Sequence, residues 1–346
     1  MKSVAVDKCR TGDILAEDIF NRYGAVIVAK NTALNSYIVY KLNEMGIQQI
    51  RIHDDGRNSS YSDESSTYRK AKEAYRESVS DIRSIISELA AGRPLNVDKV
   101  IDISDKICCG IYDSHDILRV LNVEKDFDEY TYTHSLNVAF YTMLTGKWLN
   151  LDKDSIRTAV KAGLLHDIGK VKIPIEILNK KSHLSDEEFE EIKKHTIYGY
   201  NLVKEAKQFP EEVCRAVLSH HERIDKSGYP FAIGCEKLDI FSKILAVADV
   251  YDAMTSDRVY KKRDTPFIAF EMFKTEGVKN FDPKIVNTFL NNVSVFYVGS
   301  KVFLNTGETG KIAYIPPQSI TEPVVKIGYK YVDLAKDGSR SILCMV

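Results

Sequence analysis

From Val97 to about Val293 the apolar residues recur at helical spacing almost without interruption, a pattern that commits this stretch to an all-α bundle of roughly 200 residues. Its strongest segments are Tyr130 to Leu149, Asp154 to Leu165, Glu187 to Ala206, Pro210 to His221 and Ile240 to Thr255. The third has a start written into it. Ser185 and Glu188 have the spacing of a capping box, in which a hydroxyl and a carboxylate satisfy backbone N–H groups that the first helical turn leaves bare. From there Phe189, Ile192, His195, Gly199 and Leu202 follow one face, which sets His195 among inward-facing residues.

The flanks obey other periods. Residues 1–55 hold short β-like runs, SVAV, AVIVAK and QQIRIHD, around a helical stretch from Asn35 to Met45 closed by Gly46, and predict a small α+β module. The polar run from Asp54 to Ser66 reads as a linker. Between Tyr68 and Leu89 sparse apolar positions among alternating charges predict a solvated connecting helix. After Phe296 the runs KVFLN, GKIAYI, PVVKIGY, KYVDL and SILCMV, parted by turns at Gly307-Glu308, Pro316-Pro317 and Asp337-Gly338, predict a β-rich extension, a small barrel of structural role. The expected organisation is mainly α: an N-terminal α+β module over 1–55, a linker and connecting helix over 56–96, the helical domain over 97–294 and the β-rich extension over 295–346. The first module is expected to serve packing or the formation of a homodimer.

Composition narrows the function. A chain of 346 residues with a net charge of −1 can bury a large core but offers no broad positive surface for a nucleic-acid polymer. Any phosphate site must be local. The six cysteines show no CxxC pair, and the vicinal Cys108-Cys109 cannot close an unstrained disulfide, so reduced thiols are expected. The N-terminus lacks an apolar leader segment, and no window approaches the roughly 18 apolar residues of a spanning helix; the expectation is a cytoplasmic protein that does not insert into membranes.

Five of the eight histidines, His134, His166, His195, His220 and His221, fall at inward positions of the bundle, together with Asp167 and Asp249. Neutral imidazoles and carboxylates are the ligand set of Fe, Mn and Zn sites, and burying so many polar groups is costly unless a cation satisfies several at once. The pair His166-Asp167 ends an apolar helical run and is followed by Lys170. Asp167 is the candidate to bridge two ions, an arrangement that acidifies a shared water. Adjacent His220 and His221 cannot point the same way from a helix, so they serve different parts of one site or one lies at a helix end. His53, His115 and His183 are assigned no role.

The segment from Tyr130 to about Lys262 resembles the HD-GYP family of cyclic-dinucleotide phosphodiesterases, on the motifs YTYTHSLNVA, GLLHDIGKVKIP, EEIKKHTIYGY, HHERIDKSGYP and ILAVADVYDAMTSDRVYKK in family order. The resemblance implies metal ligation by His134, His166, Asp167, His195, His220, His221 and Asp249. It implies catalysis by Asp167 and Lys170, phosphate held by Lys170, Arg258 and Lys261, and Tyr229 in the nucleotide pocket. Asp252 is expected at that pocket, capping it or orienting a ligand. The expected cofactors are two divalent ions, iron or manganese before zinc. The expected reaction is attack by a bridging hydroxide on cyclic di-GMP to give linear pGpG; whether the second bond is also cut, to GMP, is not set by any spacing in the sequence.

Two positions depart from the family pattern. Some members carry a glutamate four residues before the first histidine that completes a third metal site; Tyr130 stands there, and Glu129 is rotated away by about 100°. Two metals are therefore expected rather than three. Lys226 replaces a glycine common among relatives and is expected to point to solvent. A diguanylate cyclase is the expected protein partner. The alternatives are a cyclic-dinucleotide sensor or scaffold with little turnover, and a phosphohydrolase of the wider HD superfamily acting on another nucleotide such as cyclic GMP-AMP.

Overall fold

The computed structural model describes residues 1–21, 26–53, 66–109, 114–123, 130–180, 182–257 and 263–346. Its strands are β1 (Lys2–Ala5), β2 (Ile19–Phe20), β3 (Val26–Val28), β4 (Gln49–Ile52), β5 (Lys301–Leu304), β6 (Thr309–Tyr314), β7 (Val324–Ile327), β8 (Lys330–Asp333) and β9 (Ile342–Met345). Its helices are α1 (Ser36–Glu44), α2 (Ser66–Ala90), α3 (Val97–Cys109), α4 (Ser114–Val123), α5 (Tyr130–Trp148), α6 (Lys153–Leu165) and α7 (Ile175–Leu178). They continue with α8 (Asp186–Lys193), α9 (His195–Glu205), α10 (Glu211–Ser219), α11 (Ile240–Thr255), α12 (Pro266–Thr275), α13 (Gly277–Asn280) and α14 (Pro283–Ser294). The fold class is mainly α, with β structure confined to the two ends of the chain. Two compact units emerge: Met1–Glu64 with Thr265–Glu271 and Asn287–Val346, and Ser65–Asp264 with Met272–Val286.

In the helical unit α5 is the central element. Every residue from Thr133 to Gly146 is buried, as befits a helix wrapped on all sides rather than one with a single apolar stripe. Helix α6 starts at Asp152, whose carboxylate accepts from the N–H groups of Asp154 and Ser155. It lies so close to α5 that a Cβ on Gly163 would sit 2.7 Å from Ala139 Cα. Helix α11 meets α5 through an edge-on contact of Tyr141 and Tyr251, ring centres 5.2 Å apart. Ser185 and Glu188 form the reciprocal capping box at the start of α8.

Two expectations in this unit are corrected. Helix α2 is not solvated: Tyr68, Ala71, Tyr75, Ser78, Val79, Ile82, Ile85 and Leu89 are all buried. Spacings of three and four make that set one apolar stripe, which the interleaved charges had masked. The single helix expected over 187–206 is broken at Lys194 into α8 and α9; α8 buries none of its residues, Phe189 is 46 % exposed, and the inward face begins at His195.

In the other unit β1 pairs antiparallel with β4, from Lys2 opposite Ile52 to Ala5 opposite Gln49. Helix α1 is capped by the Asn35 side chain and ends in a Schellman turn: Ile47 N–H donates to Leu42 O and Gly46 N–H to Asn43 O, with Gly46 at φ +73°. The C-terminal strands form one antiparallel sheet in the order β8-β7-β6-β5-β9. Among the described residues its outer strands β8 and β9 are not paired with each other, so the sheet is open and the expected barrel does not form. Its residues join the N-terminal ones: Tyr37 stacks with Tyr331 at 4.9 Å, Ser36 Oγ lies 2.9 Å from Tyr331 Oη, and the Tyr314 hydroxyl donates to the Ile27 carbonyl. All six cysteines are free. Among the described residues no helix is long and apolar enough to cross a membrane.

Candidate metal centre

Five elements of the helical unit deliver the ligand-type side chains to one place. His134 comes from α5, His166 is the residue that ends α6, and Asp167 follows it into a 3-10 turn over Ile168–Lys172. His195 opens α9, His220 ends α10 with His221 next, and Asp249 lies in α11. All except the half-buried His221 are buried. Gly169 makes the arrangement possible, since a Cβ there would fall 1.9 Å from the carbonyl oxygen of His195 and 2.4 Å from Gly199 N. Only a glycine lets α9 approach the turn closely enough to face His195 toward Asp167.

The ligand atoms fall into two groups, His134 with His166 and Asp167, and His195 with His220 and His221. Two carboxylates reach across. Asp167 Oδ2 lies 3.3 Å from His166 Nε2 and 3.7 Å from His134 Nε2, while its Oδ1 lies 3.5 Å from His195 Nε2. Asp249 Oδ1 is 3.1 Å from His134 Nε2, and its Oδ2 is 3.8 Å from His221 Nδ1.

Hydrogen bonding fixes how the imidazoles present themselves. Nδ1 of His166, His195 and His220 lies 2.9, 2.7 and 2.8 Å from the carbonyl oxygens of Gly163, Ile192 and Val217. A carbonyl only accepts, so each Nδ1 carries the proton and each Nε2 is left as a bare lone pair. His134 likewise turns Nδ1 to an acceptor, 2.8 Å from Asp252 Oδ2, and its Nε2 faces Asp249 Oδ1 at 3.1 Å. These Nε2 atoms then confront one another, His134 with His166 at 3.3 Å and His195 with His220 at 3.3 Å. Opposed lone pairs at that distance repel unless a proton or a metal cation stands between them. In addition Asp167 Oδ1 is buried without a hydrogen-bond partner, which a native interior rarely tolerates. The residues present therefore fit divalent cations.

Protonation tendencies agree. Burial pushes the pKa of His195 and His220 down, and takes His221 to about 3 against the opposing pull of Asp249, so these rings are neutral donors. Burial would raise the carboxyls of Asp167 and Asp249, but Lys170 and His166 beside the first and His134 and His221 beside the second hold both well below the usual range. Burial would lower His134, yet its bonds to Asp249 and Asp252 raise it to about 9. A cation at its Nε2 has one proton to displace.

The remaining predicted residues distribute unevenly. Lys170 Nζ sits 2.6 Å from Asp167 Oδ2, at the partly exposed edge of the cluster. The Tyr229 ring packs on His221 at 4.6 Å, and burial, with the charges of Asp249 and Asp167, keeps its hydroxyl neutral. Of the two roles expected of Asp252 the geometry fits orienting a ligand and not capping the pocket: it is completely buried and bonded to His134, to Asn137 and to Ser256. Arg258 and Lys261 lie outside the described residues, as do Glu129 and the side chain of Tyr130. Lys226 has φ +71° in an exposed turn, which gives the family's glycine a physical reason.

Sequence reasoning missed Glu222. It is buried and accepts from Phe231 N–H at 2.7 Å and Ile233 N–H at 3.0 Å, pinning the loop that carries Tyr229 and the cis Tyr229–Pro230 peptide. Its signal was a carboxylate immediately after two ligand-type histidines. Arg223 was missed too; it donates to the His220 and Glu222 carbonyls and covers the Phe281 ring at 4.8 Å.

Residues 126–285 match the family model described as HD domain, a span that holds every ligand-type residue above. The chain carries an HD domain of the HD-GYP type. A cyclic di-GMP phosphodiesterase of Pseudomonas aeruginosa is 35% identical over 244 residues, covering 70% of this chain and 59% of the relative. A 3'3'-cGAMP-specific phosphodiesterase of Vibrio cholerae is 32% identical over 167 residues, 48% of this chain and 32% of the relative. The chain thus spans less than two thirds of the length of these relatives. The HDG"Y"P protein Bd1817 of Bdellovibrio bacteriovorus shares the fold with a TM-score of 0.55 at 16% identity, over 84% of this chain and 98% of that one.

Proposed function

We propose that this chain is a metal-dependent phosphodiesterase that opens a cyclic dinucleotide, cyclic di-GMP before others, to the linear dinucleotide pGpG. The observation that carries the reading is Asp167, a buried carboxylate that addresses one imidazole group with each oxygen and has one of those oxygens unpartnered. His134, His166, Asp167 and Asp249 would hold one ion, and His195, His220 and His221, with Asp167 and Asp249 shared, a second. When bound, the two ions, iron or manganese by the donor set, supply an acidified water and neutralise charge on phosphoryl oxygens.

The chain's own groups do the rest. Lys170 brings an ammonium to the edge of the cluster, where a non-bridging phosphoryl oxygen gains charge as the ribose oxygen departs. Tyr229, a neutral phenol against His221, offers a ring face to a nucleobase. Glu222 keeps that face in place. Arg258 and Lys261 are assigned with Lys170 to the substrate phosphate by family resemblance.

A second substrate, 3'3'-cGAMP, is favoured by a specific finding, since relatives named for it reach 37% identity over 40% of the chain, as high as those named for cyclic di-GMP. One experiment decides. The protein is purified without oxygen in the presence of iron or manganese, its metal content is measured, and products from both cyclic dinucleotides are separated by chromatography. About two ions per chain with pGpG from cyclic di-GMP is the expected result. Metal and tight nucleotide binding without product would replace the enzyme by a sensor or scaffold. Near three ions would show that Tyr130 does not close the third site.

A further inference from the structure

Helix α2 contributes no ligand, yet it reaches the metal centre through buried hydrogen bonds. Tyr75, 2% exposed, donates its hydroxyl to Asn137 Oδ1 at 2.7 Å. Asn137, 1% exposed and on α5 with His134, donates Nδ2 to Asp252 Oδ1 at 2.9 Å. Asp252, fully buried on α11, accepts His134 Nδ1 on its other oxygen at 2.8 Å. Three helices thus meet in one chain of four polar side chains, in a region where each unmade bond is costly.

Each link has one workable orientation. The Asp252 carboxylate only accepts, so Asn137 must turn its amide N–H toward it, which leaves the amide oxygen facing Tyr75. The tyrosine hydroxyl then fixes that amide from the far side. At the near end Asp252 decides which nitrogen of His134 bears the proton and how the ring is tilted, and hence where the Nε2 lone pair points.

We propose that Tyr75 is a positioning residue for the ion held by His134: through Asn137 and Asp252 it sets the aim of His134 Nε2, so that the seating of α2 is felt as metal affinity. This rests on the metal reading given above. It goes beyond that reading by assigning a role to a helix that precedes the matched domain, with its residues outside 126–285. The hydroxyl can be removed without disturbing the packing, because the Tyr75 ring lies stacked on Phe140, centroids 6.2 Å apart, and a phenylalanine keeps that contact.

The test is a Mn²⁺ binding isotherm on metal-stripped full-length protein, read as free Mn²⁺ by electron paramagnetic resonance and needing no turnover. Changes in groups that orient a metal ligand cost about 10- to 100-fold in affinity, and two links further out Tyr75→Phe is expected to weaken one class of site by about threefold to tenfold and leave the other unchanged. Asn137→Ala should weaken the same class further, and Tyr75→Phe added to Asn137→Ala should then do nothing more, as expected of residues in one network. Ser78→Ala, which removes a buried hydroxyl of α2 bonded to the Ala74 carbonyl of the same helix, should leave the isotherm as it was. An isotherm for Tyr75→Phe that overlays the wild type, or additive losses in the double variant, overturns the relay while the metal reading stands. Wild-type protein that takes up no Mn²⁺ overturns both. Asn137→Ala alone carries the same comparison where Tyr75→Phe does not fold.

Discussion

The two units bury different things. Among the described residues the helical unit hides His134, His166, His195, His220, Asp167, Asp249, Asp252 and Glu222, whereas the other unit hides no histidine, carboxylate or cationic side chain, only the hydroxyl-bearing Thr32, Thr265, Ser294 and Tyr297. One interior is organised by apolar area, around Leu15, Leu34, Ile38 and Leu42 in its N-terminal part. The other gives up stability to hold opposed lone pairs and carboxylates where water cannot reach them. Where the same chain can build a dry core at one place and declines to at another, the exception marks the chemistry.

Breaking that contrast at its centre has the largest expected effect. Asp167→Ala should remove metal from both positions and lower cyclic-dinucleotide hydrolysis on the order of a thousandfold or more, as losses at a working centre do. Metal analysis and product chromatography check it, and retained hydrolysis would end the two-ion reading. Next comes Gly169→Ala, which drives a methyl into the His195 carbonyl. It should destabilise the helical unit by about 3 kcal/mol, seen in denaturant titration, and reduce metal content with it. Stripping metal with a chelator tests the contrast without mutation. If ions at a hundredfold excess over their dissociation constant stabilise by about 2.7 kcal/mol, the helical unit should melt several degrees lower and the other unit should not move.

Two smaller changes sharpen the comparison at its edges. Lys226→Gly relieves a left-handed backbone and should stabilise the helical unit by about 1 kcal/mol with metal affinity unchanged. In the other unit, Arg340 and Thr306 hold the Glu308 carboxyl below its ordinary 4.5. A depressed folded pKa stabilises above the unfolded value and is lost as the pH falls through the folded one. Melting of that unit should therefore weaken slightly below pH 4.5, and Glu308→Gln should flatten the dependence.

That these histidines and aspartates would gather in one buried cluster was legible because such residues at inward helical positions are rare and have few bland explanations. Glu222 and Asn137 were not, because a glutamate in a charged run and an asparagine on a helix look ordinary until their partners are seen. The apolar stripe of α2 was hidden by charge: Arg69, Lys70, Lys72 and Glu73 surround Tyr68, Ala71 and Tyr75, and the eye reads the majority. Periodicity also carries no message about distance along the chain. Both β-like ends were visible, but that Tyr37 would stack on Tyr331 was not, since pairing across the chain leaves no local trace.

Lys170 occupies Asp167 Oδ2 at 2.6 Å, on a side chain still 30% exposed. A cation entering beside that oxygen finds a seat already taken by a positive charge, and loading is an exchange of one tenant for another. A displaced ammonium would stay tethered at the partly exposed edge of the cluster, where an anion could meet it. Loading the centre would thereby arm its own doorway, so that the empty protein has little to offer a phosphate and the loaded one has a free hand.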